Sequence, residues 1–531
     1  MVFVSSGSET AESTQLLYPS APMNHSPETP DNDSPASSEL AGHPLTAQRL
    51  EKVSRLRSAG NDPYPLGYKR DVSASGLHER FSELAPDSRT GEICQVAGRL
   101  MNVRRLGRLL FGVLQDHSGR IQLFVDRHGL GMDGLAAFGD LDQGDWIWAK
   151  GEVMTTRRGE LSVHIEDFAL LAKGLRPLPA KWHGLKDKER RFRRRELDLL
   201  VNAEARRIAE ARSAAVSELR RQFEVRGFME VETPVLQVVA GGALARPFRT
   251  YHNALGIEMH LRIATELHLK RLVVGGMEKV FELGRVFRNE GIDASHNPEF
   301  TTLEAYEALA DYRDIMQLME EIIPAVAQRV VGGATLEYQG RELDLRPPYR
   351  RVPMLELVGQ ALGTEVTPAM PVDRLRDVVA RAGLEVDANR GFGELVEEVF
   401  DSLVAPGLWE PTFVIDHPLD ISPLARRHRS IDGLVERFEL YIAGSEYADA
   451  FTELNDPVDQ RRRFEAQAAA RQAGDQTAHP IDEEFLRALE VGMPPTGGLG
   501  IGVDRLVMLL TNQRTLREVL LFPHLRPETN V

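Results

Sequence analysis

Between residues 93 and 171, short runs alternate apolar and polar positions with a period of two, as half-buried strands do. The runs are 94–100, 109–116, 120–125, 146–153 and 161–166, separated by turn residues such as His117, Ser118 and Gly119. Five short strands with a helical stretch near 130–139 predict a small barrel of the oligonucleotide-binding (OB) type, or another five-stranded sheet with no nucleic acid partner. Upstream, 45–58 has helical spacing with a basic face, and the Pro- and Gly-rich 61–67 breaks it. From 197 to 523, long amphipathic helices alternate with apolar strands. In that region 203–226 reads as one long helix, and about 346–410 as a mostly helical insertion.

Composition sets the limits around this pattern. Residues 1–48 contain no Lys or Arg and are rich in Ser, Pro, Thr and Glu, which predicts a disordered tail over 1–44. A basic segment followed by an apolar core, as in a signal peptide, is missing there, and Met23 is a possible second start. The helix and barrel then occupy 45–172, a basic linker 173–195, and a second domain 196–531. The densest positive stretch is 186–195; it is either a solvated face or a strip that lies along phosphate. The formal net charge of −15 argues against a polycation that coats nucleic acid, but does not exclude local basic patches. An apolar content of 42% with 27% charged residues excludes a wholly disordered or fibrous chain. The apolar runs fall short of the roughly 20 residues that span a bilayer, so no membrane is expected. The single cysteine, Cys94, can form neither an internal disulfide nor a Cys-rich zinc site, which points to a cytoplasmic location.

Candidate chemistry clusters in two places. An apolar strand at 281–287 runs into Arg288 and Glu290; the polar loop 292–297 follows, and 298–307 returns as a second strand. Two antiparallel strands joined in this way can present an Arg, a His and an aromatic to one ligand. An Arg fork suits phosphate, and Phe300 suits a purine face. The second place is the glycine-rich segment 497–508, whose glycines permit close approach of the backbone. It is not a GxGxxG fingerprint, and no GxxxxGK[ST] loop exists in the chain, so a nucleotide would be bound without either.

Taken together, these segments resemble the class II lysyl-tRNA synthetase family. Residues 227–236 resemble its motif 1, with Pro234 at the dimer interface; 287–290 and the following loop resemble motif 2; the glycine-rich segment ending at Arg505 resembles motif 3. Segments 241–248, 296–301 and 451–457 are similar to stretches typical of the lysine enzymes, and 96–100 extends the match into the barrel. The resemblance covers roughly 45–527.

It implies an α+β fold: an antiparallel sheet of six to seven strands flanked by helices, preceded by an OB barrel that reads the anticodon. It implies a homodimer that joins L-lysine to tRNA(Lys) through a lysyl-adenylate, with ATP as substrate, Mg²⁺ as cofactor and no zinc. By resemblance, Arg288 and Arg505 are catalytic, and Glu290, His296, Asn297 and Phe300 complete the ATP site. Gly242, Glu266, Glu304, Tyr306, Asp449, Phe451 and Glu453 would hold lysine. Glu304 and Tyr306 are two apart on a strand and so share a face. Glu439 and Glu446 would hold the metal, although their spacing of seven fits neither one strand face nor adjacent helical turns. Phe111, Gln122 and Glu160 would read the central anticodon base.

The chain departs from the family at five positions. It has Ser295 where Arg is common, Thr265 and His268 where Pro and Tyr are usual, Glu196 for Tyr, and Asp449 where many members have Asn. An Asp at 449 would repel a substrate carboxylate unless protonated or paired. These differences raise the alternative of a divergent or second copy that activates lysine, or an analogue, for a non-tRNA acceptor.

Overall fold

The computed structural model describes residues 43–179, 185, 187–387, 390–472 and 480–527. The expected tail therefore lies almost wholly outside the described residues. The chain divides into two compact units, Met1–Leu178 and Pro179–Val531.

The first unit opens with α1 (Pro44–Ser58) and α2 (Ala74–Arg80). Then come β1 (Arg89–Leu106), β2 (Leu109–Gln115), β3 (Arg120–Val125), α3 (Arg127–Gly139), β4 (Trp146–Thr155) and β5 (Leu161–Ala172). The five strands close into a barrel in the order β1-β2-β3-β5-β4. Alternate residues point inward, so Val96, Leu100, Leu110, Leu114, Ile121, Leu123 and Val125 fill the barrel beside Phe138 of α3. Asp126 caps α3 by accepting from the backbone N–H groups of His128 and Gly129.

The expected linker begins too early. Buried Lys173 pairs with Asp142 at 2.5 Å and Asp145 at 2.8 Å, and Arg49 donates to the Gly174 and Arg176 carbonyls, so these residues are tied to the barrel. A buried ammonium is costly unless paired, and these acids hold it in place.

The second unit begins with α4 (Lys188–Arg193), α5 (Arg195–Val201) and the long α6 (Ala203–Glu224). The short strands β6 (Met229–Glu230), β7 (Leu236–Gln237), β8 (Arg249–His252) and β9 (Ile257–Leu261) lead to α7 (Glu266–Val274). Then come β10 (Lys279–Phe287), β11 (Glu299–Ala308), α8 (Tyr312–Val331), the hairpin β12 (Thr335–Tyr338) and β13 (Arg341–Asp344), and β14 (Arg350–Pro353). Helices α9 (Met354–Leu362), α10 (Val372–Arg381) and α11 (Phe392–Val399) follow. The chain then forms β15 (Thr412–Ile415), β16 (Arg437–Ile442), β17 (Ser445–Thr452), α12 (Pro457–Gln472), α13 (Glu483–Gly492), β18 (Thr496–Gly502) and α14 (Val503–Leu510).

Among the described residues, eight strands form the main sheet in the order β14-β15-β16-β17-β18-β11-β10-β6. This corrects the expectation of six to seven antiparallel strands. The middle of the sheet is antiparallel, but β14 pairs with β15, and β6 with β10, in parallel. Parallel neighbours need a long crossover, which the helical segment after β14 and the α7-containing segment after β6 both provide. The stretch about 346–410 therefore opens with an edge strand of the main sheet, and its helices form a core of their own around Leu375, Leu395, Val396 and Val399.

One face of the sheet packs on α6, α8 and α14 through Phe281, Leu303, Ala305, Ala448, Ala450, Leu499 and Ile501. Period two sends the intervening residues to the opposite face, and there the pocket lies.

Candidate functional site

A cavity of about 510 Å³ opens on that second face. The strand register explains both its shape and its contents. Glu304 of β11 sits opposite Gly500 of β18, Gly500 opposite Asp449 of β17, and Asp449 opposite Glu439 of β16. In the next row Tyr306, Gly498, Phe451 and Arg437 stand side by side. A glycine lies at the centre of each row, so the floor is hollow there while charged and aromatic groups stand around it. A Cβ at Gly498 would fall on the Glu453 carboxylate and the Tyr306 ring.

At one end stand Glu266, Glu304 and Glu453 with Tyr306 and Phe451. Glu304 is buried and accepts from the Thr265 backbone N–H at 3.0 Å. Burial, with Glu266 nearby, pushes its carboxyl up to about 7 against the pull of that N–H. Glu266 and Glu453 share the ammonium of fully buried Lys270, which lies 2.5 Å from Glu266. Burial alone would push the Lys270 ammonium down, but the two carboxylates outweigh it and the net direction is up. Gly242 borders this end with φ +88°; a Cβ there would crowd Ala264 at 3.0 Å and Glu266 at 3.1 Å.

At the other end are Arg288, Glu290, Phe300, Glu439, Glu446 and Arg505. The Arg288 guanidinium lies 5.2 Å from the Phe300 ring centre. Burial lowers its pKa from the usual range, while Glu290, Glu304 and Glu446 pull it back. Arg505 donates to the Glu446 carboxylate at 3.0 Å and to the Glu446 carbonyl at 2.9 Å.

The spacing of Glu439 and Glu446 is explained by a hairpin. β16 turns directly into β17 through Ala443 and Gly444, both at positive φ (49° and 77°), as a two-residue type I′ turn requires. The two glutamates thus come from neighbouring strands. Burial pushes Glu439 up to about 8; Arg437 opposes this, while Glu446 and Asp449 add to it.

Asp449 is paired. Arg437 grips it through Nε at 2.8 Å and Nη2 at 3.2 Å, and the same guanidinium holds Glu439 at 2.6 Å. The feared repulsion therefore has its counter-charge in place. His296 and Asn297 also line the cavity. His296 is exposed and turned toward Asp293, with its Nδ1 2.8 Å from Oδ2. Burial pushes the Asp293 carboxyl up, but that contact and the Ser295 and His296 backbone N–H groups together outweigh it and hold the group down near 2. Asn297 is buried and donates to the Glu299 carbonyl at 2.7 Å.

Sequence reasoning passed over two residues of this site. Arg437 is two strand positions from Glu439 and so shares its face; Lys270 is one helical turn from Glu266. Both spacings were signals. Pro234 lies away from the cavity, in the exposed apolar run Val235, Leu236 and Val238.

In the first unit, Phe111 and Phe124 pair across β2 and β3 on the outer face of the barrel, their rings edge-to-face at 5.4 Å. Gln122 shares that face and donates to Ser162 at 2.9 Å. Glu160 is exposed beside Ser162 at the β4–β5 turn.

The basic run does not form a free strip. Arg195 is buried; it pairs with Asp198 at 2.7 Å and donates to the Arg517, Leu520 and Leu521 carbonyls. Arg191 pairs with Asp198 and Glu518, Arg193 with Glu189, and Arg194 with Glu196. Of the two readings of 186–195, a strip free to lie along phosphate is the one these pairs disfavour: most of its described positive charge is answered inside the second unit. Lys186 lies outside the described residues.

Residues 187–526 match the model of the class II tRNA synthetases (D, K and N), and 94–171 match that of the OB-fold nucleic acid binding domain. The lysine–tRNA ligase of Gloeobacter violaceus is 50% identical over 494 residues, covering 92% of this chain and 99% of the relative. That of Thermosynechococcus vestitus is 50% identical over 494 residues, covering 92% and 98%. That of Moorella thermoacetica is 49% identical over 488 residues, covering 92% and 99%.

Proposed function

The chain belongs to the class II tRNA synthetases of the D, K and N group, and from that footing we propose that it activates L-lysine with ATP and esterifies it to the 3′ end of tRNA(Lys). The observation that carries this reading is the gathering of Glu266, Glu304 and Glu453 beside Phe451 at one end of a cavity whose other end holds Arg288 and Arg505. An amino acid with a cationic tip fits the first end and a triphosphate the second. An Asp substrate would want a cationic pocket instead, and the neutral amide of Asn would leave these carboxylates without a counter-charge.

In the first step a lysine carboxylate oxygen attacks the α-phosphorus and pyrophosphate leaves. Arg288 answers the charge that builds on the α-phosphate. Arg505 and His296 hold the terminal phosphate, with His296 turning away from Asp293 to do so. Phe300 stacks on adenine, Glu290 accepts from its amino group, and Asn297 borders the nucleotide. Glu266 and the backbone at Gly242 take the α-ammonium, while Glu304, Tyr306 and Glu453 surround the ε-ammonium and Phe451 its stem. Arg437 keeps Asp449 compatible with the substrate carboxylate. In the second step the terminal ribose hydroxyl attacks the acyl carbon and AMP leaves.

Glu439 and Glu446 supply hard oxygen donors with like-charge crowding, which suits Mg²⁺. Among the described residues no cluster of three ligating side chains is present, and Mg²⁺ commonly takes one or two carboxylates plus substrate phosphates. When bound there, the ion would offset charge on the ATP phosphates.

Phe111, Gln122 and Glu160 offer a stacking platform and polar edges to a single-stranded anticodon base. The exposed apolar run at Pro234 supports a homodimer that covers it. Among the described residues no helix is long and apolar enough to cross a membrane. The buried lone Cys94 supports a cytoplasmic location. The non-tRNA alternative gains no support from the relatives, and the barrel it would not need is retained.

The test is ATP–pyrophosphate exchange with every amino acid and with near-lysine analogues, followed by transfer of labelled lysine to total tRNA. Lysine-dependent exchange and acid-precipitable label are expected. Exchange with another amino acid and none with lysine would overturn the reading.

A further inference from the structure

Lys270 stands behind the pocket wall, not in it. Its side chain is fully buried, and it is absent from the cavity lining, while the two carboxylates it meets, Glu266 and Glu453, both line the cavity. Those carboxylates come from different elements: Glu266 from the first turn of α7, and Glu453 from the residue after β17. The ammonium also lies 5.4 Å from the Phe451 ring centre and 6.0 Å from that of Phe485 on α13, within cation–π range. One buried cation therefore ties α7 and the end of β17, which both contribute to the amino-acid end of the cavity, to α13.

The charges balance only with Lys270 included. In the ionised forms that a lysine ammonium requires, Glu266, Glu304 and Glu453 carry three negative charges, and Lys270 cancels one. Asp449 is already answered by Arg437. Two negative charges remain, matching the two ammonium groups of free lysine. Without Lys270 the end would hold one buried anion more than the substrate has cations, and an unpaired buried charge is strongly unfavourable.

We propose that Lys270 is a positioning residue for the lysine site, holding Glu266 and Glu453 in place from behind and fixing the charge that the pocket offers its substrate. This rests on the functional reading above. The substrate never touches Lys270; the effect passes through the two carboxylates.

The experiment is lysine- and ATP-dependence of pyrophosphate exchange for the wild type, Lys270→Met, Glu453→Gln and the double variant. Lys270→Met should raise the lysine KM by at least about tenfold while the ATP KM stays within about twofold, because only the amino-acid end loses its counter-charge. In the double variant the anion that Lys270 neutralises is itself neutral, so it should do no worse with lysine than Glu453→Gln alone. A lysine KM unchanged by Lys270→Met, or lysine and ATP KM values that rise together, would overturn the proposal. If Lys270→Met does not fold, the double variant decides: parity with Glu453→Gln supports the proposal. A double variant that unfolds, or whose lysine KM is more than about tenfold worse than that of Glu453→Gln, refutes it. The wild type separates the two levels: no lysine-dependent exchange there refutes the functional reading itself.

Discussion

At the scale of single residues, Glu304 carries the sharpest consequence. Its carboxyl is raised by burial to about 7, above the ordinary 4.5. For a raised carboxyl, the stability it contributes is fully present below 4.5 and is lost as the pH rises through about 7, where the buried group must ionise. Binding of a lysine ammonium has the opposite preference, because it needs the ionised form. The lysine KM in pyrophosphate exchange should therefore fall as the pH rises from 6 to 8, by up to roughly tenfold per unit below 7, and Glu304→Gln should flatten that slope. A flat wild-type profile would contradict the assignment. Glu304 and Tyr306 were readable from period two alone. Their cross-strand neighbours Gly500 and Gly498 were not, because register between distant strands is set by the whole sheet and leaves no local mark. The pairing of Asp449 shows the same limit: the sequence displays the acid, while its partner Arg437 becomes visible only once β16 and β17 lie together.

At the scale of elements, the basic segment at α4 and α5 is the instructive case. A run of arginines can be solvated, bound to phosphate or folded inward, and one-dimensional spacing does not separate these. Here Arg195 folds inward to Asp198 and three carbonyls. Arg195→Ala would leave Asp198 to Arg191 and would remove the donor from three carbonyls, so it should cost roughly 1–3 kcal/mol of stability and lower the unfolding temperature. Its effect on tRNA affinity at a temperature where the variant stays folded should be small. A large loss of tRNA affinity with normal unfolding would reverse this assignment. The β16–β17 turn leaves only half a mark in the sequence: Gly444 suits positive φ, whereas Ala443 takes it against the usual preference of a residue with a Cβ.

At the scale of the whole molecule, the two units divide the chemistry. On the proposed reading amino-acid activation uses only groups in the second unit, whereas Phe111, Gln122 and Glu160 belong to the first. Phe111→Ala should leave lysine-dependent pyrophosphate exchange unchanged and reduce kcat/KM for tRNA charging by about 5- to 150-fold, the loss of about 1–3 kcal/mol of stacking. Equal loss in both assays would mean that Phe111 serves the fold. The barrel was legible because its strands are consecutive and regularly patterned. The parallel edges of the main sheet were not, because their partners lie beyond long crossovers. The net charge of −15 likewise says little until it is located: some of the acid faces inward, to Lys270, Arg437 and Arg195.

The glycines of β18 hold their positions for two different reasons. At Gly498 an added methyl would strike Glu453 and Tyr306, so the protein's own packing demands the vacancy. At Gly500 the nearest neighbour of such a methyl is the Asp449 carbonyl at 3.8 Å, and the folded chain alone would tolerate it. What that methyl would occupy is the cavity. One glycine is thus a record of the protein's interior, and the other keeps open a space that the interior does not need.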